Sequence, residues 1–513
     1  MEESAQPSPA TKPELFFGLV APVGSELTRV TEDLQRALGE VGYKTEVIHI
    51  IEEIHELEKW KELPESPLDI RIHKHMDAGN DLRRLTERAD AVAMLGVGRV
   101  QKIRVGVTGN KAVAAANRAY VFRSLKHPAE VKTLRSIYGD GFFLIAAYSA
   151  RQRRIEHLSA EIAESHHKFQ AADFRAVAES LNQRDEAEVG NDSGQDVRDT
   201  FPLADLFVDT SDPAGCRDSL NRFVELLFGN PYHTPMRGEF AMFHAQASAL
   251  RSSALGRQVG AVITNCEGDI ISVGTNEVPK AGGGLYWADD KPDHRDFTLG
   301  FDTNDKIRAN IITEILQYLK DAEWFTEDKK QTDIDALVKL AMTGKKRVFP
   351  KTSQVMNVTE FGRSVHAEMA ALIDAARRGT AVSGAILFTT TFPCHNCAKH
   401  IVAAGIRSVV YVEPYPKSLA GDLHLDAIEI NGTGCGKGVN FKPFVGISPR
   451  RYLDVFTAGE RKGADGKVLQ WNSAAAEARF FATFPVYVMK ETKELAEFLD
   501  CLEASDIKAV ESN

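Results

Sequence analysis

The chain has 513 residues, more than one hydrophobic core usually supports, so two or three domains are expected. An apolar share of 43% with 26% charged residues is that of an ordinary globular protein, and a net charge of -10 argues against a surface coated for long nucleic acid. No apolar run approaches the ~18 residues of a membrane-spanning helix. The opening "MEESAQPSPATKPE" lacks a basic-then-apolar export pattern and reads as a disordered leader, residues 1–14. Six cysteines are too few for a disulfide scaffold in a chain of this length, so reduced thiols and a cytoplasmic location are expected.

Residues 15–229 read as one α/β domain. "LFFGLVAPVG" is a buried strand running into a loop, Leu27 to Leu38 have helical spacing, and "KTEVIHI" returns as a strand. That order is a βαβ unit and predicts a parallel sheet. "ADAVAMLG", "RAYVFRSL", "GFFLIAAYS" and "ADLFVDTS" are predicted as further strands, and "RDEAEVGNDSGQDVRDT" as a surface loop. "GLVAPVGSEL" stands where a phosphate-binding loop would. Aligned on Gly24, however, it carries Leu19 for the first Gly, Ser25 for Lys and Glu26 for Ser/Thr. Phosphoryl transfer leans on positive charge in this loop, so no kinase activity is expected. Gly24 and Ser25 remain candidates to hold an anion through backbone N–H groups.

Residues 230–238 suit a linker. A second α/β unit is predicted over 239–431: a helix in "EFAMFHAQASALRSSALG", a hairpin turning at Glu267 and Gly268, and a long insertion at 280–360 with helical patterns near 307–319 and 334–342. A helix from His366, the strand "AILFTT", a helix from Cys394 and the strand "SVVYVEPY" follow. Residues 432–513 read as an extension packed on this second domain, with "FPVYVM" as a strand and a final helix to about Ala504.

The chemistry concentrates in "SVHAEMAALIDAARRG" and "TFPCHNCAKHIVAAG". His366, Cys394 and Cys397 are donors of suitable softness for zinc, and three protein ligands leave the fourth position that a catalytic zinc needs for water. Each ligand group opens a predicted helix, where the helix dipole favours thiolate. Glu368, two residues past His366, is placed to move protons between water, the ring nitrogen of a cytosine and the departing amine. His-x-Glu followed by Pro-Cys-x-x-Cys is the signature of zinc nucleobase deaminases. The competing reading is a structural zinc, with His395 or His400 as a fourth ligand, in a non-catalytic regulatory protein.

From Glu239 to Asp426 the chain resembles the cytidine/deoxycytidylate deaminase superfamily. "ALGRQVGAVITNCEGDIISVGTNEVP" is similar to that family's opening helix and hairpin, and the resemblance implies that Asn276 binds the sugar hydroxyl. Nearly the whole chain resembles bacterial anti-phage deoxycytidine nucleotide deaminases, through "HKHMDAGNDLRR", "RAYVFRSLKHPAEVKTLRSIYGDGFFLIAAYS", "GGGLYW", "EPYPKSLAGDLHLDAI" and "FVGISPRRY". That resemblance implies a P-loop-kinase-like N-terminal domain followed by a three-layer α/β/α deaminase domain, Zn²⁺ as cofactor, and conversion of dCTP or dCMP to the deoxyuridine nucleotide as a defence against phage. It also implies a homo-oligomer. A second nucleotide at the N-terminal domain and an inhibitory RNA or protein regulator are plausible partners. Lys417, Arg363, Lys280 and the Arg450–Arg451 pair are candidate phosphate contacts. Deamination within DNA or RNA is the alternative enzymatic reading; the 280–360 insertion, if it roofs the site, argues against a threaded strand.

Overall fold

A computed structural model describes residues 12–188, 191, 193–344, 347–350, 353–358, 360–414, 418–431, 436 and 438–510. They form two compact units: unit 1 is the described part of 12–239 with that of 445–510, and unit 2 the described part of 240–444.

Unit 1 is built on β1 (Leu15–Val20), β2 (Lys44–His49), β3 (Arg118–Arg123), β4 (Phe142–Tyr148) and β5 (Leu206–Asp209), with the short strand Gly446–Ile447 at one edge. Across the sheet the order is Gly446–Ile447, β5, β4, β1, β3, β2, and only that edge pairing is antiparallel. Strands buried on both faces need cover on both. Phe17, Leu19, Phe143 and Ile145 pack beneath helices Leu27–Glu40 and Pro213–Leu227. On the opposite face Phe16 stacks on Tyr138 and meets Tyr487 edge-on.

Three sequence expectations are corrected here. "ADAVAMLG" begins the helix Ala91–Thr108 and is not a strand. Its first turns are buried on every side, which removes the amphipathic period that separates helix from buried strand. "FPVYVM" likewise enters the helix Val486–Ala504, whose Tyr487, Glu491, Phe498 and Leu502 are buried at helical spacing. The polar stretch 184–200 is only partly surface: Asp185 ends a helix fully buried, and Gln195 is buried too.

The extension is also placed differently. Residues 445–513 belong to unit 1 and do not pack as part of the second unit. The reason is electrostatic. Arg104, fully buried, donates to Glu14 (2.9 Å from Nη2) and to Glu491 of the last helix (2.6 Å from Nη1). Tyr120, Tyr487 and the Ala115 N–H supply further hydrogen bonds to Glu14. A guanidinium out of water needs such partners, and here they come from both ends of the chain.

Unit 2 contains β6 (Gly260–Thr264), β7 (Ile270–Thr275), β8 (Ile386–Thr391), β9 (Ser408–Glu413), β10 (Ile428–Ile430) and β11 (Val439–Pro443). The sheet order is β10, β11, β9, β8, β6, β7; β6 runs antiparallel to β7 and β8, and the other pairs are parallel. Two glycines bring helices onto opposite faces. A Cβ on Gly260 would stand 1.9 Å from the Ala245 carbonyl oxygen, and one on Gly274 would stand 2.1 Å from that of Ala367. Gly274 shares a face with Ala261, its cross-strand partner, and Gly260 faces the other way. The result is three layers, α/β/α, with β8 between β6 and β9.

Replacing Arg104 by Ala leaves two buried carboxylates unpaired and should destabilise unit 1 by about 3–5 kcal/mol. Urea denaturation monitored by circular dichroism measures it; a midpoint unchanged from wild type would show that the triad contributes nothing to holding the C-terminal helix.

Candidate active site

β8 joins the two halves of the site. Its N-terminal side connects to helix Ala367–Arg377 and its C-terminal end turns through Phe392 and Pro393 into helix His395–Ala403. His366 and Cys394 are the residues immediately before these helices, both extended, at φ −68°, ψ 153° and φ −68°, ψ 164°. Side chains at two helix starts are thereby brought to one end of the sheet. Cys397 follows one turn into the second helix, and Glu368 lies in the first turn of the other.

The donor atoms converge. His366 Nδ1 is 3.3 Å from Cys394 Sγ and 3.4 Å from Cys397 Sγ, and Glu368 Oε2 is 3.5 Å from Cys397 Sγ. Cys394, Cys397 and Glu368 are buried. A tetrahedral zinc with ordinary Zn–N and Zn–S bonds sets N and S about 3.5 Å apart, so the two sulfurs and the imidazole fit the ion. Among the described residues the group has three members, since His395 Nε2 faces Glu360 at 3.6 Å and His400 Nδ1 is bonded to the Asn396 carbonyl at 2.7 Å.

Charge in this buried cluster is arranged by contact. The Cys394 thiol is drawn down to about 4, first by a hydrogen bond from Cys397 and then by His366. Cys397 is correspondingly pushed up by that same bond and by burial. His366 is raised to about 9 by its bond to Cys394, and burial pushes the Glu368 carboxyl up to about 6.

His366, Glu368 and Cys394 form the floor of a cavity of about 300 Å³, at the small end of ligand pockets. Its walls include Arg257, Asn276, Asp296, Asp302, Asn304 and Ser364. Asn276 spends its carboxamide on the backbone: Oδ1 accepts from Val259 N–H at 2.7 Å and Nδ2 donates to the Arg257 carbonyl at 2.7 Å. Residues from the 280–360 stretch do wall the cavity. Asp302 caps helix Thr303–Asp321, and Asn304 ties that helix start to Val358 and Phe361.

The remaining sequence candidates stand elsewhere. Arg363 is not in the cavity wall; its guanidinium pairs with Asp296 at 3.0 Å and donates to the His294 carbonyl. Lys417 lies outside the described residues. Lys280 is exposed and paired with Asp290, and Arg451 of unit 1 pairs with Asp205. Arg257, ion-paired with Glu413 at 3.4 Å, is instead the basic side chain in the described cavity wall. It stands in "ALGRQVGAV", but nothing in that string marks it as facing a ligand. Asp296, Asp302 and Asn304 had no local signal either; only tertiary structure brings them in.

Gly24 and Ser25 line a separate cavity of about 270 Å³ in unit 1, with Arg71, Arg123 and Lys126. The loop's Val23 N–H and the Lys126 ammonium are both bonded to Asp185 Oδ2, at 2.7 and 3.0 Å. Glu26 is ion-paired with Arg29 and Arg153. The described residues include no helix long and apolar enough to cross a membrane.

Residues 236–413 match the family model of the cytidine and deoxycytidylate deaminase zinc-binding region. This part of the chain is a domain of that family, and His366, Cys394 and Cys397 within it form a group suited to holding a metal ion. The deoxycytidylate deaminases of enterobacteria phages T2 and T4 are each 44% identical over 57 residues, 11% of this chain and 30% of theirs. ComE operon protein 2 of Bacillus subtilis (strain 168) is 42% identical over 53 residues, 10% of this chain and 28% of that protein. The chain thus spans under a third of the length of these relatives. The dCMP deaminase of cyanophage S-TIM5, solved with dCMP and dUMP, overlaps 42% of this chain and 100% of its own at 17% identity. Its TM-score of 0.23 supports no conclusion about fold or ligand.

Cys394→Ala and Cys397→Ala should each lose one equivalent of zinc relative to wild type, whereas Glu368→Gln should retain it. Inductively coupled plasma mass spectrometry on the purified chains decides; zinc loss from Glu368→Gln would make that residue a ligand.

Proposed function

We propose that the chain is a zinc-dependent hydrolase that deaminates free deoxycytidine nucleotides, dCTP and dCMP, to dUTP and dUMP. The observation that carries this reading is the buried Glu368 carboxylate beside the His366–Cys394–Cys397 set at the floor of a nucleoside-sized cavity. Zinc bound there supplies a Lewis acid that makes water a nucleophile near neutral pH. Glu368 takes the proton of that water, places it on N3 of the cytosine and later delivers one to the leaving 4-amino group. The C4–N bond breaks, a C4–O bond replaces it, and ammonia leaves. Low dielectric around Glu368 keeps those transfers local.

The walls support a nucleotide over a strand of nucleic acid. Asp296, Asp302 and Asn304 line the cavity, and Asn304 is tied to Val358 and Phe361, which favours a small ligand over a threaded strand. Arg257 is available to a phosphate, exchanging Glu413 for it, and Asn276 fixes the backbone on both sides of Arg257's neighbour Gln258. The conversion of dCTP and the draining of deoxycytidine nucleotides during phage infection follow from the resemblance of the whole chain, and a second nucleotide at the unit 1 cavity is part of the same proposal. The unit 1 loop is a poor kinase site, because Asp185 already occupies the Val23 N–H and Lys126.

Purified protein incubated with dCTP, dCMP, CTP, dATP and a cytosine-containing oligonucleotide should yield deoxyuridine product from the deoxycytidine mononucleotides and none from the oligonucleotide, by chromatography. Absence of any deoxyuridine product from zinc-loaded enzyme defeats the proposal. Glu368→Gln should lower kcat by about 10²–10⁴-fold. Asn276→Ala removes two backbone hydrogen bonds and should raise KM by about tenfold with a smaller change in kcat, as steady-state kinetics would report.

A further inference from the structure

Two histidines of unit 1 face each other through the same ring nitrogen. His55 lies on the short helix Glu52–Glu56 and His75 on helix Leu68–Thr86. His75 Nδ1 is 2.8 Å from the Arg71 carbonyl oxygen, and His55 Nδ1 is 3.1 Å from that of Lys61. A carbonyl oxygen only accepts, so each Nδ1 carries a proton, and in a neutral ring Nε2 is then a bare lone pair. The two Nε2 atoms are 3.2 Å apart. Lone pairs at that separation repel unless a positive centre sits between them, either a proton or a metal ion.

Glu65 distinguishes these two. Its Oε1 is 3.1 Å from His55 Nε2 and 4.0 Å from His75 Nε2, so three donors surround one point, all within 4.8 Å of one another. A proton on His55 Nε2 serves chiefly one acceptor, His75 Nε2 or Glu65 Oε1, whereas an ion engages all three atoms at once. A tetrahedral ion with Zn–N and Zn–O bonds of ordinary length sets its ligand atoms about 3.3 Å apart, close to two of the three separations here. The outer contacts agree as well. A ligating histidine commonly donates its other N–H to a backbone carbonyl, as both rings do, and a ligating carboxylate is itself hydrogen-bonded. Arg71 Nε holds the far oxygen of Glu65 at 2.8 Å, leaving Oε1 toward the rings.

We propose that His55, Glu65 and His75 form a second metal site, separate from the deaminase site, for a divalent first-row ion of the zinc class. Glu65 is largely exposed and His75 buried, so the ion is entered from solvent and keeps water in its remaining position. The ion would bind the 52–65 segment to helix Leu68–Thr86, whose Arg71 and His75 line the unit 1 cavity, and so hold one wall of that cavity in place. The proposal does not depend on the deaminase reading.

The test is metal stoichiometry on the full chain, loaded with Zn²⁺ and dialysed. Wild type should hold two equivalents, His55→Gln one, and His55→Gln with Cys394→Ser and Cys397→Ser none. Retention of the other equivalent in His55→Gln shows that unit 2 is folded, and a urea midpoint of the metal-free variant equal to that of the metal-free wild type shows that unit 1 is. Glu65→Gln, at an exposed position, should weaken the second site at least tenfold. Co²⁺ titrated into the Cys394→Ser, Cys397→Ser chain should give weak visible bands with no thiolate charge-transfer band in the near ultraviolet. A single equivalent in wild type, or a second equivalent unchanged by both His55→Gln and Glu65→Gln, overturns the proposal and leaves the histidines bridged by a proton.

Discussion

Two thiols and a carboxylate are buried together beside His366, and the rest of unit 2 can be understood from what that burial requires. Removing such groups from water is costly unless each one neutralises another. The imidazole nitrogen sits between two sulfurs, one sulfur contacts the carboxylate, and the helix starts before Ala367 and His395 direct N–H groups and partial positive charge at the same place. Those helix starts can only meet because β8 joins them and lies inside the sheet, where its neighbours β6 and β9 fix its position. The close approaches at Gly260 and Gly274 then press helices against both faces, which fixes where the His366 helix begins.

Unit 1 meets a similar difficulty with different residues. Arg104 is surrounded by Glu14, Glu491 and tyrosine hydroxyls, a fully paired arrangement in which every charge has a geometric partner. Whether such a cluster adds net stability over an apolar core is a separate matter from what it specifies. It requires the first strand, a middle helix and the last helix to arrive together. That requirement explains why the chain's final residues return to the unit where the chain starts, although in sequence they follow the deaminase-like half.

The motifs at 364–405 were legible because their chemistry is local: one residue separates His366 from Glu368, two separate the cysteines, and helix starts can be read from such short strings. β1 to β9 were legible for the same reason, whereas β10, β11 and the Gly446–Ile447 edge strand were not among the predicted strands. Ala91 to Gly96 was misread because a helix buried on every side has no polar face to reveal its period, and "FPVYVM" because it is a short unbroken apolar run that ends before the helical spacing is established. Asp296, Asp302, Asn304 and Arg257 could not be found from sequence. They are ordinary capping, turn and ion-pair residues locally, and only the path of residues 280–360 makes them cavity wall.

Asn276 shows how a sugar-contact expectation and a structural role can share one side chain. Its carboxamide satisfies Val259 N–H and the Arg257 carbonyl, groups that would otherwise face the cavity unpaired as the chain enters β6. An amide has two acceptor lone pairs and two donor hydrogens, so one of each remains after those bonds are made. The residue can therefore hold the Arg257 backbone and still present polar capacity to a ligand, whereas an apolar replacement would fail at both. Arg257 is held in turn by Glu413, the last residue of β9, which also receives the Thr391 hydroxyl from the end of β8. Cavity wall and metal floor are thus connected through the ends of adjacent strands: a shift of β8 that disturbed Cys394 would also move the group that orients the arginine.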